Sequence, residues 1–70
     1  MTLDKAKELI SYKIKSIDTK DEKVKEFLLS LGFVPGETVE VIIKQRHGVV
    51  VLIKESRYSL DVSIASAIII

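Results

Sequence analysis

The chain has no cysteine, one proline, one histidine and three glycines among 70 residues, and its aromatic content is 6%. Without cysteine there is neither a disulfide framework nor a thiolate zinc site, so packing alone must hold the fold. The lone histidine, His47, stands between Arg46 and Gly48 without the two or three companions a metal ligand needs, and reads as an exposed loop residue. It also lacks the base-and-orienter arrangement that activates a nucleophile, so no catalytic, cofactor-binding or metal-binding residue is assigned. Gly32, Gly36 and Gly48 occur singly, which excludes a glycine-rich phosphate cradle.

No apolar run approaches the ~20 residues of a membrane span. The opening MTLDKAKELI carries charges where a secretory signal needs an unbroken apolar stretch, so a cytoplasmic protein without membrane insertion is expected. Charge of one sign is scarce too, at net +1. Residues 1–35 hold seven Lys against six acids, and residues 36–70 four Lys and Arg against four acids. A nucleic-acid binder draws most of its affinity from a basic stripe, and none is visible.

What is present favours folding: 47% hydrophobic and 30% charged residues are far from the composition of disorder. At this length the expectation is a single domain over 1–70 with a thin core. Ile10, Tyr12 and Ile14 alternate as one face of a half-buried strand, and Ile17 breaks that parity, marking a bulge or strand end near Ser16. Val24, Phe27, Leu28 and Leu31 then fall at helical spacing and predict one long amphipathic helix. Thr19 and Glu22 have the spacing of a capping box, Asp18, Asp21 and Glu22 complement the helix dipole, and Gly32 ends the helix with Phe33 folding back.

VPGE predicts a type II turn, and TVEVIIK predicts a strand with Val39, Val41 and Ile43 inward and Thr38, Glu40 and Lys44 outward. QRHG reverses the chain into VVVLIK, ESR turns it again into YSLDV, and SIASA allows one helical turn before the closing III. The sum is a mostly β chain with one helix: an antiparallel barrel of about five strands, the helix between the first and second main strands.

The series Leu31, Gly32, Phe33, Pro35, Gly36, Thr38, Val39, Val41, Gly48, Leu60, Ala65, Ile68 and Ile70 resembles the pattern of the FeoA family. The match runs from about Leu28 to Ile70 and more loosely from Leu3. The chain departs from the pattern in having Phe27 and Asp61 where basic residues are common, and KELIS where the first loop often has a glycine. The resemblance implies an SH3-like barrel, family-level transition-metal association, and action in iron homeostasis as a regulatory partner of FeoB, the ferrous iron transporter with a cytosolic GTP-binding domain. Two readings compete with it. One is a DNA-binding transition-state regulator or antitoxin of the AbrB type, whose swapped hairpins have no place for YSLDVSIASAIII. The other is a fragment of a metal-sensing repressor, ranked last because the chain opens on Met and has no helix-turn-helix.

A docking function directs attention to apolar residues off the inward stripes. Leu29 lies about 140° from Val24 around the helix. Ile42 breaks the polar face of its strand, Val50 or Leu52 must do so in theirs, and Ile64 sits in the closing turn. Leu29, Ile42 and Ile64 are therefore the partner-binding candidates.

Overall fold

The computed structural model describes all residues, 1–70. Six short strands, one long helix and two short helical turns surround one buried cluster. The chain opens with a 3-10 turn at Leu3–Lys5, followed by β1 (Ser11–Lys13), β2 (Ser16–Ile17), α1 (Glu22–Leu31), β3 (Thr38–Gln45), β4 (Gly48–Ile53), β5 (Ser56–Asp61), α2 (Val62–Ala65) and β6 (Ile68–Ile69). Four strands form an antiparallel sheet in the order β1-β3-β4-β5, and β2 pairs with β6 in a separate ribbon. No strand pairing links the two sheets, so the expected barrel is not closed by its hydrogen bonds.

The parity slip at Ile17 is a change of partner. Tyr12 stands opposite Val39 on β3, but Ser16 and Ile17 stand opposite Ile69 and Ile68 on β6. Between them Ile14 is buried, its amide donating to the Glu37 carbonyl and its carbonyl accepting from the Gly36 amide. The first expected strand is thus two, and Ile10, expected on the inward face, is exposed because it precedes the paired segment.

In α1 the caps divide between expectation and correction. Gly32 takes the left-handed conformation at φ 105°, and the Phe33 amide donates to the Leu28 carbonyl at 3.0 Å as Phe33 turns into the core. The N-cap is Asp21, not Thr19. The Asp21 carboxylate accepts from the amides of Lys23 and Val24 at the positive end of the helix dipole, while Thr19 Oγ1 takes the amide of Asp21 itself. Around the helix, Leu28 is fully buried with Val24 and Leu31 partly buried beside it. Phe27, expected in that stripe, is 54% exposed because it lies 100° from Leu28, beyond the margin that Leu31 marks.

Pro35 and Gly36 make the expected turn, with Gly36 at φ 91° and the Glu37 amide bonding the Val34 carbonyl. The β4–β5 hairpin turns on Lys54 and Glu55, one residue earlier than ESR suggests. Both have positive φ, 47° and 66°, the geometry of a type I′ turn. Gly48 is fixed by contact: a Cβ there would stand 2.3 Å from the Leu60 carbonyl oxygen. The core gathers Leu3, Leu28, Phe33, Val39, Val41, Val51, Ile53 and Ile68, with the Phe33 ring tilted against Tyr58 at 6.0 Å between centroids.

Candidate docking surface

Register decides which apolar side chains the sheet turns outward. Along β4, Val49, Val51 and Ile53 are buried, which places Val50 and Leu52 on the opposite face, each half-buried. In β3 the pairing slips between Val41 and Ile43, so Ile42 is an extra residue without an opposite number. Beyond the bulge the parity of β3 inverts. Ile43, expected to point inward, is 50% exposed and stands directly across from Val50. With Leu52 two residues along β4, these side chains form an apolar strip on the outer face, flanked at Leu52 by Glu40 on β3 and Arg57 on β5.

The same bulge ties down a second apolar pair. On the free side of β3 beyond β1, Glu8 bridges Val41, the Leu9 amide donates to the Val41 carbonyl at 2.8 Å, and the Glu8 carboxylate accepts from the Lys44 amide at 2.6 Å. These bonds hold Leu9 at φ 63°, a conformation that costs a leucine ~1–2 kcal/mol. The strained side chain is 68% exposed, and Ile10 beside it is 44% exposed. A left-handed leucine held open to solvent at a sheet edge contributes nothing to the core.

Of the candidates read from the sequence, Leu29 is at the margin of exposure on α1, Ile42 is the half-buried bulge residue, and Ile64 is half-buried against the core. They stand on three separate elements. Leu9, Ile10 and Ile43 were missed by periodicity. The signal for Ile43 was the doubled Ile42-Ile43 in an alternating strand, which is what a bulge looks like in sequence.

The polar side chains offer little chemistry. His47 is exposed in the β3–β4 turn, and nowhere do three His, Asp or Glu side chains gather as a metal site. The only ion pair joins Lys54 to Glu37 at 3.5 Å, with the lysine stem lying over Gly32. Asp61, whose carboxylate caps α2, has a carboxyl below its ordinary value, held there chiefly by the Ser63 hydroxyl and next by the Ile64 amide, which both donate to it. No helix is long and apolar enough to cross a membrane.

The FeoA domain model matches residues 1–70. The chain belongs to the FeoA family. Among solved structures, the FeoA of Stenotrophomonas maltophilia, complexed with zinc and described as a prokaryotic SH3 domain protein and candidate ferrous iron transport activating factor, is 26% identical, with a TM-score of 0.89 over 99% of this chain and 87% of that one. Iron(II) transport protein A of Clostridium thermocellum is 27% identical, with a TM-score of 0.86 over 97% of this chain and 43% of that one. A manganese-dependent transcriptional repressor, 17% identical and with a TM-score of 0.88 over 97% of this chain and 39% of that one, shares the fold alone. No curated protein matches the sequence. The SH3-like architecture expected of a FeoA domain is therefore present, without a pairing that closes the barrel.

Proposed function

We propose that this FeoA-family chain is a small cytoplasmic accessory protein of ferrous iron transport, acting by docking on the cytoplasmic portion of a FeoB-type transporter. The family assignment over the full chain supports the transport role, and the outer apolar strip with its strained neighbour Leu9 supports docking. The observation that carries the surface is Ile43, half exposed on a sheet face where a solvated strand would place a polar residue. Ile42 shapes that surface by inverting the parity of β3, and Leu29 and Phe27 offer a secondary contact on α1. Ile64 offers the smallest contact of the three, since it is half-buried against the core.

On this reading iron is the transporter's cargo, and this chain supplies a shape that biases the transporter. The AbrB-type alternative has nothing to set against the tail, which here folds as β5, α2 and β6. The test is capture of the transporter's cytoplasmic portion by the tagged chain, without nucleotide and with GDP or a GTP analogue. Retention in at least one state is the expected result, and no retention in any state overturns the reading.

A further inference from the structure

The open edge of the four-stranded sheet carries a code of its own. β5 pairs with β4 on one side and with nothing on the other. The Ile53–Ser56 pair closes a two-residue turn, and beyond the strand the Val62 amide donates to the His47 carbonyl, so the even-numbered residues of β5 turn their amides and carbonyls toward β4. Those of Arg57 and Ser59 and the amide of Asp61 point away from β4 toward the unpaired edge, while the Asp61 carbonyl opens the first turn of α2. All three residues are exposed, and by register their side chains share the outer face, opposite Leu52, Val50 and Gly48. An unpaired edge of this length is a template for another strand.

The charges on that edge determine which strand fits. Arg57 has no ion-pair partner in the chain. The Ser63 hydroxyl and the Ile64 amide both donate to Asp61 Oδ1, leaving Oδ2 free. The two residues cannot neutralise each other along one strand, because four residues of extended chain separate them by ~13 Å. We propose that β5 pairs antiparallel with β5 of a second copy of this chain about a two-fold axis at Ser59. In that register Ser59 meets Ser59, the outward amides and carbonyls exchange about four hydrogen bonds, and each Arg57 stands across from Asp61 of the second copy. On the inner face Tyr58 meets Leu60 of the second copy. The arrangement is isologous and closes at two, and the four-stranded sheet becomes one of eight.

Sedimentation equilibrium of the full chain, run from micromolar to near-millimolar concentration, tests this. The wild-type mass is expected to rise toward twice the chain mass. Arg57→Glu, which sets like charges opposite each other twice, is expected to weaken association at least tenfold. Asp61→Arg does the same alone, and an equimolar mixture of the two variants associates again, because each mixed pair restores both opposite-charge contacts. Ser59→Pro removes an outward amide and no internal bond, so it is expected to remain monomeric with an unchanged circular dichroism spectrum. It decides the matter, together with Arg57→Glu, if loss of the α2 cap unfolds Asp61→Arg. A wild-type chain that stays monomeric overturns the proposal and leaves the edge to an extended segment of another protein. A dimer that survives both Arg57→Glu and Ser59→Pro overturns it equally.

Discussion

Leu28 and its two neighbours in α1 show how sharply a single position divides core from surface. Leu28 is fully buried, while Phe27 and Leu29, each a 100° step away, are exposed at 54% and 36%. Leu28→Ala is expected to cost ~2–5 kcal/mol, and Leu29→Ala and Phe27→Ala under ~0.5 kcal/mol each. Urea unfolding of the three variants measures this, and equal losses at Leu28 and Leu29 would show a helix buried on both sides. The inward stripe was legible from helical spacing except at Phe27, because periodicity ranks residues around a helix but does not say how wide a sector the neighbouring chain covers. Asp61 supplies a second residue-scale expectation. Its carboxyl lies below the ordinary value of 3.8 because the Ser63 hydroxyl and then the Ile64 amide favour the ionised form. A depressed carboxyl stabilises the fold above its ordinary pKa, and that contribution is lost as pH falls through the lowered value. Following the Asp61 carboxyl and the Ile64 amide by NMR during acid titration is expected to give one shared midpoint below 3.8. A midpoint at or above 3.8 would contradict the cap.

Elements were legible where local chemistry alone fixes them. Gly32 after a helical stripe, Pro35-Gly36 before an alternating run, and the two hairpins each follow from backbone preference within a few residues. The split of the first strand and the bulge at Ile42 were only half legible, as breaks in parity at Ile17 and Ile42. What resolves them is long-range: the choice of β6 over β3 as partner, and the docking of Glu8 and Leu9 against β3. The Lys54–Glu55 turn was misplaced because neither residue advertises positive φ; its type I′ geometry is imposed by strands already in register. Glu55→Gly, which relieves that strain while leaving the Lys54 stem over Gly32, is expected to raise stability by ~0.5–1 kcal/mol in thermal or urea unfolding. No gain, or a loss, would mean that the Glu55 side chain contributes more than its backbone strain costs.

For the molecule as a whole, the family pattern in the second half of the chain pointed to the right relatives, while the candidate surface was the part least legible. Two adjacent isoleucines in one strand admit either facing until the bulge is placed, and an exposed leucine in a left-handed conformation leaves no trace in composition or period. The surface that emerges is an apolar strip of Ile43, Val50 and Leu52 on the outer sheet face, with the exposed Leu9 and Ile10 held against the same strand, and this is the surface proposed to meet the transporter. Leu9 allows stability and binding to be separated, since Leu9→Gly removes strain and exposed apolar area together. The most direct measurement is a calorimetric titration of the transporter's cytoplasmic portion with the wild-type chain, Ile43→Glu and Leu9→Gly, alongside unfolding of each. The account predicts that the wild type binds, that Ile43→Glu loses affinity by tenfold or more with its stability unchanged, and that Leu9→Gly binds more weakly although its fold is as stable or more so. Equal affinity for all three chains would contradict it.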